Sequence, residues 1–185
     1  MCAQTAVQNA QSVQFGSGKL EYSKDSGTSW IDLGAMRNIR FTESWEEVEV
    51  KSDNAGTLKQ GIKNQIATIA GDLMEIDLEK LSDLRGGLDT FSESAGVSKT
   101  LKSGGKTSQT PIQVKVTNED EEGNIFRITL YKVTSIKGIE IPFNSDEADD
   151  PNMIPIELKG VKDTSRTIGD QLFEIYSEQD DEISS

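Results

Sequence analysis

The chain has 185 residues, of which 34% are hydrophobic, and it carries a formal net charge of −13 with one cysteine and no histidine. This length suits one domain, or one domain with long arms, and is enough to bury a core. The acidic balance argues against nucleic-acid binding by phosphate neutralisation, because such binders concentrate lysine and arginine. The single cysteine, Cys2, excludes an intrachain disulfide, and no apolar run has the length of a membrane span.

The N-terminal segment, residues 1–12, is rich in alanine and glutamine and shows no apolar period. This composition predicts a flexible arm. The segment lacks the basic start and the continuous apolar stretch of a signal peptide, so we expect synthesis and folding in the cytoplasm and no membrane anchor.

Short strands are predicted from Val13 onward. Residues 20–23 and 29–34 alternate on either side of the turn signal at 24–27, which indicates a hairpin. Residues 37–42 and 45–51 also alternate. They predict two further strands separated at Glu43 and Ser44, the second with one solvated face.

A polar stretch, SDNAGTLKQG at residues 52–61, then separates two strong strand patterns. The sequence predicts a loop here, and loops of this length in compact domains are more often functional than accidental.

The segment of residues 62–87 passes from a strand pattern to a helix pattern. Ile62, Ile66 and Ile69 favour a strand, because branching at Cβ stiffens the side chain and packs well on a sheet. Leu78, Leu81 and Leu84 then recur every three residues and predict one short helix at about residues 77–85.

Two starts are compatible with this helix. Asp77 is a candidate N-cap, and Gly86 with Gly87 supplies the left-handed residue that ends the helix. Asp72 with Glu75 as a capping box would lengthen the helix by about one turn. The later start is preferred, because the earlier one interrupts the strand pattern.

The second half of the chain continues with short elements. Residues 88–91 predict a short strand, and residues 94–110 are rich in serine, glycine and lysine, which predicts a mobile loop or an extended flap bearing Lys99, Lys102 and Lys106. The remaining segments are a hairpin of residues 112–116 and 125–133 around a turn at 118–124, a strand at 136–143 interrupted by Pro142, an acidic loop at 144–152, strands at 153–158 and 172–176, and an acidic tail at 177–185.

Nine to eleven short strands with one helix predict a mainly β fold, an antiparallel sandwich or barrel in one domain over residues 13–176. A sheet of this kind leaves edge strands, and edges have to be blocked or used.

The sequence contains no pattern of catalytic or metal-binding residues. The absence of histidine removes the commonest acid–base group and metal ligand. The acidic stretch at 118–123 begins like a calcium loop, but Thr129 stands where a bidentate glutamate would close the site. We therefore expect no enzyme activity, no metal and no cofactor.

Trp30 and Trp45 admit two interpretations. They form a sugar-stacking pair in a recognition module that binds carbohydrate or a host surface, or they pack in the core or at a sheet edge. Their position in or beside alternating strands favours packing.

The order of the features resembles the major tail tube proteins of tailed bacteriophages and the related type VI secretion tubes. The resemblance rests on SWIDLGAMRNIRFTE at residues 29–43, VEVKSDNAG at 48–56, QIATIAGDLMEIDLEKLSDLRGG at 65–87, and GIEIPF followed by an acidic loop and IPIELKGVKD. It extends loosely over residues 13–176.

The resemblance implies a structural virion protein of the tail, with a β-sandwich and a flanking helix. Six copies form a ring, rings stack into a hollow tube, and DNA passes through the lumen without specific binding. The partners it implies are further copies of the chain, the tape-measure protein, the tail terminator and the distal tail or baseplate proteins. By position, the subunit and ring contacts are assigned to Lys51, Ser52, Asp53, Asn54, Ala55, Gly56, Thr57, Leu58, Lys59, Gln60 and Gly61.

Overall fold

The computed structural model describes residues 18–52, 56–120, 123–143 and 152–178. In these ranges the chain forms ten strands and one helix. They are, in chain order, β1 (Lys19–Ser23), β2 (Ile31–Asp32), β3 (Met36–Ser52), β4 (Gly56–Leu73), α1 (Leu78–Leu84), β5 (Asp89–Ser94), β6 (Ser98–Ser103), β7 (Ile112–Glu119), β8 (Ile125–Ser135), β9 (Ile154–Gly160) and β10 (Phe173–Ser177). All strand pairs are antiparallel, so the predicted mainly β class with one short helix is confirmed.

Strand β8 is the branch point of the main sheet. The strand order is β2-β1-β7-β8-β9-β4-β3, with β10 also paired to β8. One edge of β8 pairs with β7, whereas the other pairs first with β10, from Phe126 to Leu130, and then with β9, from Val133 to Ser135. The sheet therefore divides at β8 into one branch that ends in β10 and another that ends in β3.

The two branches face each other. Phe41 of β3 meets Phe173 of β10 edge to face, with ring centroids 5.1 Å apart. This contact joins the terminal strands of the two branches and gives a sandwich-like arrangement. The core between them takes apolar side chains from both branches and from the helix: Leu20, Tyr22, Ala67, Ile69, Leu81, Leu84, Val114, Leu130, Val133, Ile154 and Leu158.

Helix α1 packs on this core through Leu81 and Leu84. The Asp77 carboxylate accepts a hydrogen bond from the amide of Glu79 at 3.0 Å, which confirms Asp77 as the N-cap. After the helix, Gly86 has φ of 58°, and a Cβ at this position would lie 2.4 Å from the carbonyl oxygen of Thr110. Only glycine fits there, so the predicted end of the helix is confirmed.

A second, two-stranded sheet consists of β5 and β6, paired from Asp89 with Ser103 to Ser94 with Ser98. At its base the Arg85 Nε lies 2.7 Å from a carboxylate oxygen of the buried Asp89. Lys106 Nζ donates to the carbonyl oxygens of Gly87 and Asp89, both at 2.9 Å. The lysine-rich stretch therefore contains a paired strand, and the extended-flap alternative is confirmed.

Three further hairpin and strand predictions are confirmed. Strands β1 and β2 pair across the turn at 24–27, β7 and β8 form the second hairpin, and β9 and β10 are the last two strands. The N-terminal arm, the acidic loop at 144–151 and tail residues 179–185 lie outside the described residues.

Two predictions about strand limits are wrong. Residues 37–51 do not divide at Glu43 and Ser44, because β3 is one continuous strand. Residues 136–143 form no strand: Ile139 and Ile141 pack against the core, but the segment joins no ladder and makes only isolated backbone bonds such as Ile136 N to Glu157 O at 3.0 Å.

Candidate assembly surface

Strands β3 and β4 form a hairpin that is much longer than the sheet it belongs to. Their register runs from Met36 with Leu73 at the base to Ser52 with Gly56 at the tip. The next strand, β9, pairs with β4 only from Thr68 to Leu73. Residues 44–52 and 56–66 therefore continue past the sheet as a two-stranded ribbon, which we name the arm.

The prediction of a loop at residues 52–61 is wrong for the described part of that stretch, which is strand. Lys51 and Ser52 are the last residues of β3. The first residues of β4 are Gly56, Thr57, Leu58, Lys59, Gln60 and Gly61. Asp53, Asn54 and Ala55 lie outside the described residues. The predicted loop is thus the distal end of a hairpin, and its assigned role in subunit contacts stays a prediction.

Polar contacts across the strands hold the arm. Gln60 Nε2 donates to Glu49 at 3.2 Å, and Asn64 Nδ2 donates to Glu46 at 3.0 Å. Lys63 Nζ lies 3.5 Å from the same Glu46 oxygen. Exposed pairs of this kind contribute about 0–1 kcal/mol each, so they set register more than they stabilise the ribbon.

A β-bulge interrupts the arm near its base. The register passes from Ser44 with Ile66 to Glu46 with Lys63, so β4 contains one more residue than β3 between these pairs. Asn64 lies in this interval with φ of 54°, the left-handed region that asparagine tolerates better than most residues. Bulges bend a strand and increase its twist, so this one changes the direction of the arm relative to the sheet.

The arm exposes large apolar side chains on both faces. Trp45 and Ile62 are 49% and 64% exposed, and Val50 is 53% exposed. Ile62 pairs with Glu47, which shares a face of β3 with Trp45, whereas Val50 points to the opposite face. Neither face of the arm is therefore a buried face.

The arm also has two backbone edges without a strand partner among the described residues. Strand β3 is the last strand in the order, so no other described strand pairs with its outer edge. The edge of β4 is unpaired from Gly56 to Ala67, where β9 does not reach. Such edges are templates for pairing with another chain.

The two tryptophans lie on different parts of the sheet. Trp30 precedes β2 at one end of the strand order, and Trp45 lies in β3 at the other end. The Lys115 ammonium lies 4.3 Å from the centroid of the Trp30 ring, a cation–π contact at the sheet edge. Trp30 thus packs at an edge, and glycan binding by the pair stays a prediction.

Acidic side chains in the described ranges serve turns and ion pairs. The Asp120 carboxylate accepts hydrogen bonds from the Asn124 amide at 2.8 Å and from its Nδ2 at 3.0 Å. Within the described part of the chain, no three His, Cys, Asp or Glu side chains are grouped so as to hold a metal ion. No helix in the same ranges has the length and apolar character to cross a membrane.

Sequence comparisons add no relative. No family model matches the chain, and no curated protein matches it significantly.

Proposed function

We propose that the protein is a structural subunit that self-assembles through its arm, as a tail tube protein of a tailed bacteriophage does. The observation that carries the proposal is a ribbon of residues 44–52 and 56–66 whose two edges have no strand partner in the described structure. An isolated two-stranded ribbon is marginally stable in water at best. Addition to the sheet of a neighbouring copy would satisfy its backbone groups and cover its apolar side chains.

In the proposed assembly the arm of one subunit adds to a different edge of the next, which would give a ring or a tube in place of a simple dimer. The arm lies at one end of the strand order, and β2, which pairs with β1 alone among the described strands, lies at the other end. When one surface of a subunit binds a different surface of the next, the contact is heterologous, and repetition gives closed rings or open filaments. Stacked hexameric rings are the form that the resemblance to tail tubes implies.

The charge is compatible with a conduit for DNA. A net charge of −13 per subunit repels phosphate, so DNA passes through a lumen of such subunits without adhering. In this proposal the protein belongs to the virion tail, and its partners are further copies, the tape-measure protein, the tail terminator and the distal tail or baseplate proteins.

Shortening the arm tests the proposal. Glu49 pairs with Gln60, and the next pair toward the base is Val48 with Gly61. Replacement of residues 49–60 by Asn-Gly therefore leaves paired residues on either side of a tight type I′ turn. We expect a variant that unfolds as cooperatively as the wild type but forms no rings or tubes in negative-stain electron microscopy.

The β5–β6 hairpin supplies a matched control. Ser92 pairs with Thr100 in that hairpin, so replacement of residues 93–99 by Asn-Gly shortens it in the same way. This variant should assemble like the wild type. Tubes from the arm-shortened variant, or a wild-type protein that stays monomeric under assembly-promoting conditions, would refute the proposal.

A further inference from the structure

The inner face of the branch that ends in β10 stays apolar beyond the point where the other branch covers it. Leu130 of β8 and Val114 of β7 are paired and fully buried. One row further along, Val116 pairs with Ile128, and Ile128 pairs with Ile175 of β10. These side chains share the face of Leu130, because residues two apart in a strand point the same way.

Burial decreases along this face toward the start of β8. Val116 and Ile128 are half-buried at the margin of the core, and Ile175 is 51% exposed. Phe126, one row beyond Ile128, is half-buried and lies outside the core cluster. We name Val116, Phe126, Ile128 and Ile175 the inner patch.

The opposite face of the same strands is polar. There Lys115 pairs with Thr129, Thr129 with Glu174, and Thr117 with Arg127. A sheet with one polar and one apolar face buries the apolar one. The inner patch thus continues the core face to the margin of the sheet, where its outermost member, Ile175, is 51% exposed.

The N-terminal segment joins the sheet beside this patch. Lys19 pairs with Thr117, so the chain enters β1 at the level of Val116. A Cβ on Gly18 would lie 2.8 Å from Cγ1 of Val116, which places the backbone of Gly18 directly against the patch. Residues 1–17 precede this point.

The sequence of that segment suits the patch in pattern and length. Val13 and Phe15 are apolar with Gln14 between them, and Gly16 and Gly18 permit a change of direction. Phe15 is three residues from Gly18, a reach of about 10 Å, and Val13 is five residues away, a reach of about 17 Å. With strands about 4.8 Å apart, β8 lies about 10 Å and β10 about 14 Å from β1.

We propose that residues 13–15 lie across the inner face of their own chain and cover the inner patch. In this arrangement Phe15 packs on Phe126 and Ile128, and Val13 packs on Ile175. The same chain is the occupant because a tether of three to five residues gives a local concentration in the millimolar range or above. The proposal concerns the folded subunit and does not depend on self-assembly.

Disulfide trapping distinguishes this occupant from others. In a Cys2→Ser background, Phe15→Cys is combined with Phe126→Cys, and Gln4→Cys with Phe126→Cys serves as the matched control. At low micromolar protein under mild oxidation, we expect the first pair to form an intrachain disulfide at least tenfold faster than the control. Equal rates for the two pairs, or bonds that link two chains, would overturn the proposal.

Hydrogen exchange of variants without new cysteines provides a second test. Val13→Ser with Phe15→Ser should accelerate amide exchange at residues 126–130 and 173–177 several-fold, whereas Gln14→Ser should leave it unchanged. Exchange in these strands that is insensitive to the double substitution would also overturn the proposal.

Discussion

Individual side chains far apart in sequence fix helix α1 to the sheet. The Tyr22 hydroxyl of β1 donates to the Asp83 carboxylate at 2.8 Å, and Lys24 Nζ donates to the same oxygen at 2.8 Å. Burial raises the pKa of Tyr22 far above its usual value, and the hydrogen bond to Asp83 raises it further. The neutral phenol is therefore the form that the folded state prefers.

Tyr22→Phe tests this contact through its pH dependence. At neutral pH the variant should lose about 1–2 kcal/mol of unfolding free energy, because a buried hydrogen bond to a charged acceptor is lost. A pKa that folding raises contributes stability that is complete below the unfolded value, about pH 10, and is lost as the pH rises above it. Above about pH 10 the wild type should therefore lose up to about 1.4 kcal/mol per pH unit relative to the variant.

Urea denaturation of both proteins between about pH 7 and pH 11 measures the effect. The difference in unfolding free energy between wild type and Tyr22→Phe cancels the titration of the lysines, which both proteins share. A difference that is constant across this range would contradict the assignment.

Local residue patterns were predictable, and long-range contacts were not. The Asp77 cap and the Gly86 end of the helix follow from neighbours within a few residues. The bond from Tyr22 to Asp83 spans 61 residues, and nothing in either local sequence specifies it. The cation–π contact of Lys115 with Trp30 was not predictable either, because it depends on the pairing of β1 with β7.

Among the elements, alternation was informative where one face of a strand is buried. Strands β1, β7 and β9 each have an inner face against the core, so their sequences alternate. Neither face of the arm is buried at the described side chains of residues 44–51 and 59–66, and residues 52–61 have the composition of a loop. Its strand character comes from pairing with the opposite strand, which a polar sequence does not reveal.

The segment at 136–143 has the sequence pattern of a strand but is not paired as one. Ile139 and Ile141 alternate with polar residues and pack on the core, yet the segment belongs to no ladder. Apolar alternation reports which side of an extended chain is buried. It does not report whether the backbone has a neighbour to pair with, and Pro142 removes one donor from this segment.

The exposed apolar residues of the arm should contribute to assembly but not to folding. We expect Val50→Ser with Ile62→Ser to change the unfolding free energy by less than about 1 kcal/mol, because both side chains are more than half exposed in the subunit. Burial of such a side chain in a contact is worth about 1.5–3 kcal/mol. The critical concentration for assembly, measured by sedimentation, should therefore rise at least about tenfold.

Ile168 provides the control, since it is 96% exposed and lies outside the arm. Ile168→Ser should leave the critical concentration within about twofold of the wild-type value. If Ile168→Ser raised the critical concentration as much as the Val50→Ser, Ile62→Ser variant does, general surface hydrophobicity and not the arm would drive association.

In the whole molecule, the branched sheet separates the hydrophobic core from the arm. The core lies where the branches face each other, and the arm extends past β9 with its edges unpaired. The subunit therefore folds around one part of its sheet, and another part stays outside the core. The helix and the β8 branch point stabilise the subunit, and in our proposal the arm joins subunits together.

In the proposed assembly, the net charge of the subunits opposes their association. Each subunit carries a net charge of −13, so bringing copies together is opposed by repulsion whatever the local contacts are. The screening length falls from about 30 Å at 0.01 M salt to about 8 Å at 0.15 M. Contacts made by strand pairing and apolar burial are little affected by this change in salt, so added salt mainly weakens the repulsion between subunits.

We therefore expect the critical concentration for assembly to fall severalfold between about 0.01 M and about 0.15 M sodium chloride, as measured by light scattering and sedimentation. Potassium chloride at the same ionic strength should give the same result, because screening depends on ionic strength and not on the identity of the cation. A critical concentration that rises with salt would mean that ion pairs between subunits, not the arm's backbone and apolar contacts, hold the assembly together.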